Sequence, residues 1–127
     1  MPPRKGYSEA EMKVLVAEDN DMVRTAVCSM LRVFSAAVVE ARSGKELILR
    51  VFGPDRFDLV ICDISLPERS GIAVARTARA AGIATPFLFV SGLEMTQAEI
   101  DGVGAAAFLS KPFGLADLEA AVTQLIG

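Results

Sequence analysis

Five short apolar runs, each followed by a stretch of helical periodicity, constrain this chain more than any other feature of it. The runs are Lys13 to Ala17, Ala36 to Ala41, Asp58 to Cys62, Phe87 to Val90 and Ala106 to Leu109. They are of strand length and close to continuously apolar, which predicts strands buried on both faces. After the first run, Val23, Ala26, Val27, Met30, Leu31 and Phe34 recur at helical spacing and predict one buried face. Ser43 is placed to cap a second helix with a buried face of Leu47, Ile48, Val51 and Phe52, stopped by Gly53 and Pro54. A third helix is predicted from about Ile72 to Ala81, ending at Gly82. Glu94 to Gly104 is helix-like but weakened at its end by Gly102 and Gly104. Leu115, Leu118, Val122, Leu125 and Ile126 mark a last helix. Strand then helix, five times over, predicts an α/β fold: a doubly wound five-stranded parallel sheet with helices on both faces.

A length of 127 residues suits one domain, here 13–127 behind a polar arm at 1–12. The net charge of −3 gives no electrostatic footprint for nucleic acid, so direct nucleic-acid binding is not expected. No apolar run is long enough to span a membrane, and the N-terminus lacks the apolar core of a signal peptide. A cytoplasmic location is the default that follows. Cys28 and Cys62 lie inside apolar runs and are expected to be buried free thiols. With no histidine and no Cys-x-x-Cys pair, a zinc site is not expected. The lack of histidine also means that any phosphohistidine involved in this chain's chemistry belongs to another molecule.

In an open parallel sheet, function gathers outside the carboxyl ends of the strands. Glu18 and Asp19 follow the first strand, Asp63 the third, Ser91 the fourth and Lys111 the fifth. Taken singly, each is ordinary: Asp19 or Asn20 could cap a helix, a lone serine after a strand is usually a cap, and Lys-Pro is usually a surface turn. Those explanations do not account for the acids and the lysine falling together at one sheet edge. Three close carboxylates repel unless a counter-charge joins them. A hard divalent cation such as Mg²⁺ binds oxygen ligands of this kind. Lys111 supplies a further positive charge, Ser91 a hydroxyl, and Asp63 a carboxylate nucleophile suited to an aspartyl phosphate.

The same residues carry a resemblance. Glu18 and Asp19, Asp63, Ser91, and Lys111, Pro112 and Phe113 stand where receiver domains of two-component response regulators have their motifs. The segment from Asp63 to Gly71, with Pro67, is similar to that family's acceptor loop, and the likeness runs over 13–126. It implies a (βα)5 flavodoxin-like receiver fold. It also implies Asp63 as phosphoryl acceptor and Mg²⁺ held by Asp19, Asp63 and the Ser65 carbonyl, with Glu18 acting through water. Lys111 and Ser91 would complete the reactive set, and Ser91 and Phe108 would form the switch. The phosphodonor implied is a histidine kinase or histidine phosphotransfer protein. The output implied is a downstream protein or a covalently linked domain. Such a chain is a signalling receiver, not an enzyme, catalysing only its own Mg²⁺-dependent phosphorylation and dephosphorylation. Ser65 and Leu93 match the positions flanking the water approach, and their short and apolar side chains point to a long-lived phosphoryl group.

Two features depart from the family. The stretch from Asp63 to Lys111 is slightly short, and no basic residue follows Lys111. Receivers that pair by salt bridges through their fourth and fifth helices therefore resemble it less there. Other classes fit worse. A haloacid-dehalogenase-like phosphatase needs a second Asp where Ser65 stands, and a flavodoxin-like or nucleotide-binding protein needs a phosphate loop where Glu18 to Asp21 stand. A docking module that has lost phosphorylation stays open at this level. So does the choice between a stand-alone receiver and part of a longer regulator or hybrid kinase.

Overall fold

Each strand of the sheet presents successive side chains to opposite faces, and both faces are covered. In the computed structural model, residues 12–92, 100, 102–104 and 106–126 are described. Five strands are present: β1 (Lys13–Ala17), β2 (Ala37–Ala41), β3 (Leu59–Asp63), β4 (Phe87–Ser91) and β5 (Ala106–Ser110). The described helices are α1 (Asp21–Val33), α2 (Gly44–Val51), α3 (Gly71–Ala80) and α4 (Leu115–Ile126). The sheet order is β2-β1-β3-β4-β5, and every pairing is parallel. Central β3 is buried throughout, whereas edge strands β2 and β5 are mostly half-buried.

Leu15, Val60, Cys62, Phe87 and Phe89 face α2 and α3, packing with Leu47, Val51, Val74 and Ala78. Val14, Val16, Ile61, Leu88 and Val90 face α1 and α4, packing with Val27, Leu31, Leu118 and Val122. The two layers show the predicted doubly wound arrangement. Cys28 and Cys62 are buried free thiols.

Helix starts follow the local chemistry. The Asn20 side chain accepts from the Val23 amide, Ser43 from Glu46 and Ser70 from Ala73, each offsetting an orphan donor. Helix α3 gives way to Gly82, whose φ of 84° suits glycine.

The predicted faces need correction at two places. Phe52 is the residue after α2 and is 45% exposed, outside the buried face. In α1 the buried residues are Arg24, Val27, Cys28 and Leu31, while Ala26 is exposed. The rest of the expected face holds, since Val27 and Leu31 are buried and Val23, Met30 and Phe34 pack against the same core; the true stripe is wider on one side, taking in Arg24 and Cys28. Strand β3 begins one residue later than expected and takes in Asp63 as its last residue. Most of the predicted Glu94 to Gly104 helix, Leu93 and all but the last residue of the 1–12 arm lie outside the described residues. Among the described residues, no helix is long and apolar enough to cross a membrane.

Candidate functional site

The chain reverses its direction of winding between β1 and β3, adjacent strands in the order β2-β1-β3. Ligands gather at such a switch point, outside the carboxyl strand ends. Glu18 leaves β1 there and is 2% exposed; Asp63 ends β3 and is 7% exposed. Asp19 is exposed beside them. One carboxylate oxygen from each of Glu18, Asp19 and Asp63 lies within 4.8 Å of the other two.

Lys111 reaches this group from beyond β5. Its Nζ donates to Asp63 Oδ2 at 2.6 Å and to Glu18 Oε1 at 2.7 Å. Its backbone amide donates to the Ser91 carbonyl at 2.9 Å, which extends the β4–β5 pairing beyond the strands. The Lys111–Pro112 peptide bond is cis. The other oxygens of Glu18 and Asp63 have backbone partners: Asn20 N–H donates to Glu18 Oε2 at 3.1 Å, and Ser65 N–H donates to Asp63 Oδ1 at 2.8 Å. Ser91 is buried at the end of β4, in register with Ser110.

The charges are interdependent. Burial holds the Glu18 carboxyl above the usual carboxylate range, and the Asp63 charge adds to this; Lys111 and the Asn20 N–H partly offset it. Burial pulls the Lys111 ammonium down, but its hydrogen bonds to Asp63 and Glu18 outweigh that, and its pKa is raised. Lys111 is therefore held as a cation between two carboxylates.

The loop after β3 is seated by two glycines. A Cβ on Gly71 would stand 2.6 Å from the Asp63 carbonyl oxygen and 2.9 Å from Cys62 Sγ. One on Gly44 would stand 2.0 Å from the Arg69 carbonyl oxygen. The Gly71 amide donates to the Ile64 carbonyl, and the Gly44 amide to that of Pro67. Both helix starts thus lie directly against the loop that carries Ser65, whose side chain is exposed.

Of the residues singled out in the sequence, the structure brings Glu18, Asp19, Asp63 and Lys111 together, with Ser65 and Ser91 on adjoining backbone. Phe108 stands apart, half-buried within β5 opposite Phe89 and against the α2–α3 side of the core. One residue at the site was missed. Arg24 is buried and donates to the Glu18 carbonyl oxygen at 2.8 Å. It begins the spacing 24, 27, 28 and 31 shared by the buried residues of α1, and that spacing was the available signal.

Comparison with known proteins decides the family, because the profile of the response regulator receiver domain matches residues 14–123. The chain belongs to the response regulator receiver family. This receiver is 33% identical over 116 residues to the response regulator protein PmrA of Pseudomonas aeruginosa, an alignment covering 90% of this chain and 52% of that protein. It thus spans about half the length of the curated relatives it matches. The receiver superposes on the chemotaxis response regulator CheY4 of Vibrio cholerae with a TM-score of 0.82 at 27% identity, covering 91% of this chain and 98% of that one. It superposes on the receiver domain of the sensor histidine kinase PA1611 of Pseudomonas aeruginosa with a TM-score of 0.80 at 26% identity, covering 93% and 99%. That domain is described with a magnesium ion coordinated in its active-site cleft. In the present receiver, the three converging carboxylates form an all-oxygen donor set, compatible with a hard divalent cation.

Proposed function

We propose that this receiver takes a phosphoryl group onto Asp63 in a Mg²⁺-dependent reaction and thereby switches a partner-binding face. The observation that carries this reading is the convergence of Glu18, Asp19 and Asp63 at one strand edge, with Lys111 bonded to two of them. The donor is a phosphohistidine on a histidine kinase or histidine phosphotransfer protein, since these 127 residues include no histidine. A carboxylate oxygen of Asp63 forms the new P–O bond as the P–N bond to the donor imidazole breaks, and the bonding pair leaves with the nitrogen. Asp19, Asp63 and the Ser65 carbonyl would hold Mg²⁺, with Glu18 acting through water. The bound ion supplies positive charge to the carboxylates and to the phosphoryl oxygens. Lys111 carries positive charge beside the acceptor, and the Ser91 hydroxyl donates to a phosphoryl oxygen. Catalysis on this reading is positioning and charge stabilisation. The output is a downstream protein or a linked domain, and the setting is cytoplasmic.

Labelling with a small acyl-phosphate donor in Mg²⁺, read by intact mass, tests the proposal. Wild type should gain one phosphoryl group and Asp63→Asn none, with both retaining a cooperative thermal melt. Undiminished labelling of Asp63→Asn would move the acceptor elsewhere. No labelling of wild type would leave a docking module.

A further inference from the structure

Helix α1 carries three charged side chains, of which Asp21 and Arg32 are exposed while Arg24 is 4% exposed. The Arg24 guanidinium spends its donors on three separate segments. Nη1 reaches the Glu18 carbonyl oxygen at 2.8 Å, Nη2 reaches Asp21 Oδ1 at 2.5 Å, and Nε reaches Glu40 Oε1 on β2 at 2.8 Å. A planar fork holds such acceptors in one fixed arrangement, and a buried guanidinium stripped of acceptors is costly, so the three move little relative to one another.

The Glu18 carbonyl belongs to the peptide that joins Glu18 to Asp19. On its other side, the Glu18 amide donates to the Ala41 carbonyl at 3.0 Å. The backbone entering Asp19 is therefore pinned from both ends, by β2 and by Arg24. The Asn20 cap holds the residue that follows. Asp19 is itself exposed, so its direction toward Glu18 and Asp63 comes from this backbone.

We propose that Arg24 is a positioning residue for the metal site: anchored by Asp21 and Glu40, it orients the Glu18–Asp19 peptide so that the Asp19 carboxylate faces Asp63. This rests on reading the acidic cluster as a Mg²⁺ site. Arg24 touches no reacting atom and acts through the peptide it holds.

The test is calorimetric titration of the folded protein with MgCl₂. Arg24→Lys keeps the charge but cannot span all three acceptors, and should weaken Mg²⁺ binding about tenfold, in the range that outer partners of a metal site contribute. The Mg²⁺ concentration giving half-maximal phosphodonor labelling should rise by the same factor, while labelling at saturating Mg²⁺ is preserved. A purely stabilising arginine would lower the melting temperature without moving either quantity. Glu40→Gln and Glu40→Ala decide the matter even if Arg24→Lys fails to fold. Both remove a charge, but only alanine removes the acceptor for Nε, so alanine should weaken Mg²⁺ binding and glutamine should not. Wild-type affinity in a folded Arg24→Lys, or equal affinities in the two Glu40 variants, overturns the inference and leaves the Mg²⁺ reading intact. Failure of wild type to bind Mg²⁺ removes both.

Discussion

A methyl group is enough to disturb the central strand. The Cβ of an alanine at Gly71 would meet the Asp63 carbonyl oxygen at 2.6 Å and Cys62 Sγ at 2.9 Å, distances that force movement. Neither neighbour can yield easily. One is backbone within the buried central strand, and the other belongs to a fully buried side chain. Overpacking of this kind costs about 1–3 kcal/mol. Gly71→Ala should therefore lower the urea midpoint by a corresponding amount, and labelling of Asp63 should slow because its backbone is displaced. An unchanged midpoint would show that α3 can retreat from β3 without loss. The sequence places Gly71 at the end of the loop after β3, but the close approach that requires it exists only once α3 lies against β3.

At the scale of elements, Ser91 ends β4 and Phe108 lies in β5, with their strands paired over five positions. The Ser91 carbonyl also accepts from the Lys111 amide, so the backbones of the predicted hydroxyl and ammonium groups are mechanically joined. A phosphoryl group drawing on the Ser91 hydroxyl and on the Lys111 ammonium would pull on both strand ends at once. Local charge changes produce large responses only where an element is weakly held. Edge strand β5 is half-buried where β3 is fully buried, so the response should run to that side of the sheet. Amide hydrogen exchange with and without beryllofluoride should differ most over residues 91–110. Changes concentrated in α1 and α2 would refute this direction of switching.

Across the whole molecule, the site gathers like charge in a chain that is already net negative at −3. Three carboxylates meet within 4.8 Å, and Lys111 compensates two of them directly. A cation that binds this arrangement in the folded state, and not in the unfolded chain, stabilises folding by mass action. At a hundredfold excess over the dissociation constant the gain is about 2.7 kcal/mol. Millimolar Mg²⁺ should accordingly raise the melting temperature of wild type, and Asp19→Ala should abolish the rise. Thermal melts with Mg²⁺ and with chelator measure both, and a full Mg²⁺ response in Asp19→Ala would rule out direct ligation by that residue.

The amino-acid order by itself determined what local physics controls. Continuous apolar runs made the strands, 3.6-residue spacing made the helices, and Ser43 and Gly82 marked helix ends where the structure has them. The position of the acids and the lysine just beyond strands was equally legible, because in a parallel sheet all those ends share one edge. Tertiary structure alone decided the order β2-β1-β3-β4-β5, which places Glu18 beside Asp63. It also decided that Lys111 bonds both of them across 93 and 48 residues of chain. Arg24 shows the limit most clearly. Periodicity records which positions turn inward, and a charged side chain there reads as a break in the pattern. Only the arrival of β2 with Glu40, and of the Glu18 carbonyl from β1, supplies the acceptors that let a guanidinium stay buried.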